Sequence, residues 1–363
     1  MNIPLSFNWH YLNTAPHISC NYKGKPDDFQ VDEVPLLDPE QFSGQGEHVF
    51  LHMEKKAMNT EWLAKELARF ADIPVRDVSF AGLKDRDALT TQWFSLRIPG
   101  KREFDWSLLN NDKIRVLAIG RHQKKLRRGQ LAGNRFRLVL RNCQGDNALW
   151  QQRIELLKTQ GIPNYFGPQR FGREGNNIQA ALAMFEGKRV KRQQKSIYLS
   201  ALRAYLFNQV LSVRLARGLA NTVMLGDVMN LMGSNSIFSV DELNNDLHDE
   251  LKNRLHQRDI VLTGPLAGKA KQDKNSTTPA AVFEQDVLTA AGLETWQQGL
   301  IQYGLDADRR ALFVYLRDFN WHWLDDQTLE LQFFLAKGSF ATSVLRELAN
   351  CERAEFAVFE EAK

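Results

Sequence analysis

Hydrophobic and polar positions alternate in several short runs of this chain. In "HVFLHMEKK", Val49, Leu51 and Met53 fall on one face of a predicted strand. "QWFSLRIPG" predicts a strand from Trp93 to Ile98, stopped by Pro99 and Gly100. "KIRVLAIG" places Ile114, Val116 and Ala118 in alternation. "NRFRLVLRN" sets Phe136, Leu138 and Leu140 against Arg135, Arg137 and Arg141, and "TLELQFFLAKG" repeats the pattern with Leu329, Leu331 and Phe333. Half-buried strands of this kind predict a mainly antiparallel sheet. The helical period appears in "MNTEWLAKELARFADIP", where Leu63, Leu67 and Phe70 share a face after an Asn59 or Thr60 cap and before Pro74. Strands and helices without a regular βαβ rhythm predict an α+β protein. Helical patterns dominate from about Asn176 to Arg217, and strand character returns near Phe313. A middle domain inserted into a discontinuous sheet domain fits this order. "AGKAKQDKNSTTPA", Ala267 to Ala280, predicts an exposed, mobile loop.

The chain has 363 residues, 43% hydrophobic and 25% charged, enough for two hydrophobic cores. Cys20, Cys143 and Cys351 are distant in sequence with no C-x-x-C, which suggests reduced thiols rather than a zinc site or disulfide framework. "MNIPLSFNWHYLN" lacks the basic start and apolar run of a signal peptide, and no apolar segment is long enough to span a bilayer. The expectation is a cytoplasmic protein with no membrane contact and, by default, a monomer.

Formal net charge is only +4, but its distribution is uneven. Arg121 to Arg141 holds eight lysines or arginines and no acid, including Arg121, Lys124, Lys125, Arg127 and Arg128. Lys188, Arg189, Lys191, Arg192 and Lys195 form a second basic block, and Asp241 to Glu250 is acidic. A solvated face explains one such block; two in separate segments suit an elongated polyanion. Phe29, Asn134 and Phe340 sit among charged or glycine-rich residues, where they serve either as turn and core packing or as groups that stack on a base and bond its edge. "GPLAGKA", Gly264 to Ala270, fails as a phosphate loop because its glycine spacing is short and Ala270 stands where Ser or Thr is needed. "FAGLKDRDALTTQ" carries Asp85 and Asp87 one residue apart. Spacing alone leaves three readings of this pair: a solvated turn, a magnesium site of the D-x-D phosphotransferase kind, or a nucleophilic carboxylate. The second suffers from Lys84, whose charge competes with a metal.

Six segments in order resemble the TruD family of tRNA pseudouridine synthases: "KGKPDDFQVDE", "FAGLKDRDALTTQ", "KLRRGQLAGNRFRLVLR", "GIPNYFGPQRFG", "SALRAYLFNQ" and "AKGSFATSVLREL", from Lys23 to Leu348. The resemblance implies an α+β pseudouridine-synthase catalytic domain at 1–160 and 313–363, with a mixed, mainly antiparallel sheet and flanking helices. It also implies a large inserted α/β TRUD domain at 161–312, closing the other wall of a cleft. It implies isomerisation of uridine 13 in tRNA to pseudouridine, with no metal or organic cofactor. The family's catalytic aspartate corresponds to Asp85. Phe29 and Phe340 then lie against a flipped-out base, Asn134 lies on its polar edge, and Phe136 packs beside the ribose, where a phenyl ring cannot exchange protons. A carboxylate that acts at C1′ or C2′ of the ribose must stay ionised in a water-poor pocket, which calls for a buried cation. Lys84 is a poor partner, because neighbours in extended chain point to opposite faces. Lys23, from the first motif, is the better one. Arg121, Lys124, Lys125, Arg127 and Arg128 would grip RNA phosphates.

Overall fold

A computed structural model describes residues 5–36, 44–100, 102–234, 236–270 and 277–354. The chain runs through β1 (Ser19–Tyr22), β2 (Phe29–Pro35), β3 (His48–Lys56), α1 (Thr60–Phe70), β4 (Val78–Phe80), β5 (Leu89–Arg97), β6 (Ile114–His122), β7 (Leu131–Gln144) and α2 (Asn147–Gln160). A middle stretch follows with β8 (Ile162–Pro163), α3 (Asn176–Phe185), α4 (Arg192–Ala216), β9 (Val228–Leu231), β10 (Ile237–Ser239), α5 (Asn245–His256), β11 (Ile260–Leu266), α6 (Pro279–Ala290), α7 (Glu294–Gln302), β12 (Asp308–Ala311) and β13 (Phe313–Val314). The chain closes with β14 (Arg317–Asp325), β15 (Thr328–Ala336), α8 (Ala341–Leu348) and β16 (Asn350–Arg353).

Two compact units result: 16–159 with 315–341 and 348–363, and 160–314 with 1–15 and 342–347. The sequence reading had assigned the N-terminal segment and the 342–347 turn of helix to the sheet domain. They group with the middle unit because their contacts are there. Trp9 stacks on Tyr165 at 6.0 Å, Phe7 meets Phe171 at 5.3 Å, and the Ser343 hydroxyl donates to the Tyr165 carbonyl.

The first unit is built on a ten-stranded sheet with the central order β14-β15-β7-β2-β5-β3-β6. The β2/β5 and β1/β16 pairs are parallel and the rest antiparallel: mainly antiparallel, as the strand patterns predict, and mixed, as the family resemblance implies. One face of β3 and β5 buries Val49, Leu51, Met53, Phe94 and Leu96 against Leu63 and Leu67 of α1, with Phe70 packed at the margin. That is the amphipathic helix read from the sequence, with its apolar face packed in one core with β3 and β5. The alternation expected for Ile114, Val116 and Ala118 fails at its last member. A register shift between His52 and Met53 skips Leu117, so Ala118 pairs with His52 and stands exposed on an edge strand.

In the middle unit, the 25-residue α4 runs beside α3 and the antiparallel sheet β10-β9-β11-β12. The buried Arg214 of α4 clamps Asp227 with two hydrogen bonds of 2.8 and 2.7 Å. The loop expected at Ala267–Ala280 lies partly outside the described residues, and its described end starts α6 at Pro279.

Three cysteines distant in sequence also meet in the first unit. Cys20 and Cys351 are partners across β1 and β16 with sulfurs 3.0 Å apart, and Cys143 is buried in β7, the other neighbour of β1.

Candidate active site

Asp85 lies in the loop between β4 and β5, and four side-chain anchors hold that loop in place. Thr60, expected only as a helix cap, donates through Oγ1 to Gln92 Oε1 at 2.8 Å and accepts from the Lys84 N–H at 3.0 Å. The Gln92 amide closes the loop by donating to the Gly82 carbonyl at 3.2 Å. Lys84 Nζ reaches Glu33 Oε2 of β2 at 2.6 Å, with both side chains almost completely buried. Glu33 Oε1 accepts from the Trp93 N–H. Breaking one member of such a pair leaves a buried, uncompensated charge, at about 3–5 kcal/mol. Lys55 of β3, fully buried, donates to the carbonyls of Met58 at 2.5 Å and of Asp85 itself at 2.9 Å.

With its backbone fixed in this way, Asp85 points its carboxylate at Lys23. Lys23 Nζ forms an ion pair with Asp85 Oδ2, and Asp85 Oδ1 accepts from the Asp87 N–H at 2.9 Å. Burial pushes the Asp85 carboxyl up. The Lys23 hydrogen bond and charge, the Asp87 amide and the Arg353 charge outweigh that push, and the group sits below its ordinary value. Its side chain remains 39% exposed, so the ionised carboxylate is open to a ligand. Lys84 turns to Glu33 instead. Asp87 pairs with Arg353 of β16. Each acid of the D-x-D run therefore faces a protein cation, an arrangement unsuited to holding magnesium between them.

The other residues singled out in the sequence lie around this pair. Lys23 adopts a left-handed φ of 59°, and its ammonium lies 4.3 Å from the centre of the Phe29 ring. Phe29 is 5% exposed and meets Phe136 edge-on at 6.3 Å; Phe136 stacks on Phe333 at 5.3 Å. Asn134 of β7 pairs with Glu33 on one side and Leu335 on the other. Its Oδ1 is buried with no hydrogen-bond partner among the described residues. A Cβ on the preceding Gly133 would fall 2.2 Å from the Leu335 carbonyl, so only glycine lets β15 close against β7 here. Phe340, half-buried, follows β15 in the turn that leads to α8, where the Lys337 N–H donates to the Ala132 carbonyl.

The basic block divides. Lys124, Lys125, Arg127 and Arg128 are exposed in the loop 123–130. That loop is pinned by buried Leu126 and by a 2.7 Å bond from the Gly129 N–H to the Ala81 carbonyl at the root of the Asp85 loop. The Arg128 guanidinium lies 3.9 Å from the Phe80 ring centre. Arg121 instead directs its guanidinium to the carbonyls of Gly46 and Arg102. Arg137 pairs with Glu330, and Arg141 grips buried Asp28 through two bonds of 2.9 and 2.8 Å.

The sequence reading overlooked Lys55, the Lys84–Glu33 pair and the Arg141–Asp28 clamp. For Lys55 a signal existed: it continues the core-facing row Val49, Leu51, Met53, where a lysine is out of place. The two pairs join positions too far apart in sequence to be matched without the fold.

The sequence profile of the family described as tRNA pseudouridine synthase D (TruD) matches residues 8–189 and 173–348. The chain belongs to this family. A tRNA pseudouridine synthase D from Aeromonas hydrophila is 44% identical over 346 residues, 95% of each chain, and one from Methylococcus capsulatus is 42% identical over 325 residues, 89% of each. Among solved structures, a Methanosarcina mazei protein assigned to tRNA pseudouridine synthase D shares the fold with a TM-score of 0.69 at 22% identity, covering 95% of this chain and 96% of its own. In this member of the family, the motif segments "KGKPDDFQVDE" and "FAGLKDRDALTTQ" are joined by two cross-links, Lys23 to Asp85 and Lys84 to Glu33.

Proposed function

We propose that this protein isomerises uridine 13 of tRNA to pseudouridine, and that Asp85 is the group that acts on the ribose. The observation that carries this reading is the Lys23–Asp85 ion pair, which keeps a half-exposed carboxylate ionised beside the Phe29 and Phe136 rings. By either route Asp85 uses its charge. It attacks C1′ as the N1–C1′ bond breaks and its electrons pass to the uracil, or it removes the C2′ proton to give a glycal. The detached base turns so that C5 bonds to C1′; on the first route this expels the Asp85 carboxylate from C1′, and on the second Asp85 returns its proton to C2′. C5 then loses its proton and N1 takes one up. The atoms of the RNA are conserved throughout.

A uridine held within a folded tRNA must leave its stack to reach Asp85. Phe340, half-buried, and the edge of the largely buried Phe29 would supply apolar contacts for the extruded base, and the buried Asn134 Oδ1, without a hydrogen-bond partner among the described residues, would accept from an N–H on its edge once the base is seated. Phe136 packs beside the ribose and carries no exchangeable proton, so proton chemistry falls mainly to Asp85. The exposed Lys124, Lys125, Arg127 and Arg128 would position the phosphates of the substrate, while Arg121, also assigned this role from the sequence, braces the backbone at Gly46 and Arg102. No step calls on a metal or organic cofactor, and a tRNA substrate is in keeping with a cytoplasmic protein.

The test is pseudouridine mapping on two tRNA transcripts, one with uridine 13 and one with cytidine there. Pseudouridine at position 13 of the first, with no other site modified in the second and RNA mass unchanged, is the expected result. Release of free uracil, or modification at another position, would overturn it.

A further inference from the structure

The buried row Val49, Leu51, Met53 of β3 ends on Lys55, which is fully buried as well. A methionine there would fill the space of the lysine stem without the cost of a desolvated charge. The partners of the ammonium are not carboxylates but two main-chain carbonyls, Met58 at 2.5 Å and Asp85 at 2.9 Å. Burial lowers the pKa of Lys55 to about 8, with the Asp85 charge opposing the shift and the Lys84 charge adding to it, so the group is an ammonium at neutral pH.

The two carbonyls belong to different segments. Met58 lies in the turn 57–59 between β3 and α1, and Asp85 in the loop 81–88 between β4 and β5. Those segments also meet at two further points. The Ala57 N–H donates to the Ala88 carbonyl at 3.1 Å, and Thr60 Oγ1 accepts from the Lys84 N–H at 3.0 Å. These bonds hold residues before and after Asp85, whereas Lys55 holds Asp85 itself. Two carbonyl oxygens converge on one cation in the core, and each depends on it for a donor there.

Lys23 and Lys55 therefore meet the same aspartate at different atoms. Lys23 pairs with carboxylate Oδ2, while the Asp87 N–H bonds Oδ1. Lys55 takes the main-chain oxygen. A cation on the carboxylate governs its ionisation. A donor on the carbonyl of the same residue governs where the main chain is held, and with it the side chain that leaves it. Both routes at the ribose depend on that placement, because a displacement of about 1 Å at a reacting group can cost on the order of 100-fold.

We propose that Lys55 is a positioning residue for the isomerisation: its buried ammonium ties the Asp85 main chain to the turn before α1, so that the carboxylate kept ionised by Lys23 meets the ribose in one orientation. The inference rests on the reaction proposed above and adds to it a residue that acts without touching the RNA.

The test is single-turnover pseudouridine formation on tRNA by Lys55→Met across a range of pH, with tRNA affinity and urea unfolding measured on the same protein. Methionine keeps the apolar stem and removes both hydrogen bonds. The expected result is a plateau rate about 10- to 100-fold below that of the wild type, with tRNA affinity and the acidic limb of the pH–rate profile unmoved. A merely structural lysine would move the urea midpoint and leave the rate of the folded protein alone. An unchanged plateau rate overturns the inference. So does a slower rate with a shifted acidic limb, which would make Lys55 a charge acting on the carboxylate, as Lys23 is. A slower rate matched by an equal loss of affinity overturns it too, as a general loosening of the site. If Lys55→Met fails to fold, Lys55→Gln, with no charge and an arm one atom shorter, decides by the same readouts. Wild-type protein that forms no pseudouridine refutes the proposed reaction and the part of Lys55 in it. A wild type that turns over and a variant that keeps pace refute the part of Lys55 alone.

Discussion

The loops at 81–88 and 123–130 touch each other through the Gly129–Ala81 hydrogen bond, yet they handle charge in opposite ways. In the first, Asp85 faces Lys23, Lys84 faces Glu33, and Asp87 faces Arg353. Charges paired at short range in a partly desolvated setting fix geometry and shift pKa values, and salt screens them little. In the second loop, Lys124, Lys125, Arg127 and Arg128 stand exposed on a scaffold fixed by Leu126. Charges of that kind add little to folding and much to the capture of a polyanion, and salt weakens them. On the proposed function, the first loop would prepare one carboxylate and the second would attract the RNA.

The largest effect that would sharpen this contrast is expected from Lys23→Met. Removing the cation leaves desolvation to push Asp85 upward. Turnover should fall about 100-fold or more, and the acidic limb of kcat/KM should move to higher pH. A pH–rate profile with an unmoved acidic limb and full turnover would break the pairing argument. Next comes Lys55, whose ammonium burial lowers to about 8. Below that pH, both the folded and unfolded chains hold the proton, and the full cost of burying the charge is present. Between about 8 and 10.5 the unfolded chain binds more protons, so this group's contribution to stability rises with pH, by on the order of 3 kcal/mol in all. Urea unfolding of the wild type and Lys55→Met at pH 7.5 and pH 10 measures it: the wild type should gain relative to the variant. A constant difference would show that Lys55 is not a desolvated cation. The smallest effect is expected from the exposed loop. Neutralising Lys124, Lys125 and Arg127 together should lower tRNA affinity roughly tenfold near physiological salt and flatten the salt slope by about two to three units. Unchanged affinity would remove this loop from the RNA interface.

Much of the sheet was legible because period-2 patterns survive wherever one face is buried, as in the rows Phe136–Leu138–Leu140 and Leu329–Leu331–Phe333. Edge strand β6 was misread at Ala118 because a bulge costs an edge little and leaves no mark in composition. At the site, Asp85 and Lys23 stood out only through ordered motifs, since spacing alone left Asp85 and Asp87 equivalent. What separates them is the third dimension: Lys23 lies 62 positions from Asp85, and Arg353 lies 266 from Asp87. The Cys20–Cys351 contact was hidden for the same reason, because a parallel pairing of β1 with β16 has no local signal.

The central claim is that the Asp85 carboxylate, held ionised by Lys23, acts on the ribose of the target uridine. Single-turnover pseudouridine formation on tRNA by Asp85→Asn tests it most directly, with binding measured in parallel to show that the variant is folded and still holds RNA. The account predicts tRNA binding close to that of the wild type and no detectable pseudouridine. Pseudouridine at position 13 formed by Asp85→Asn would contradict it.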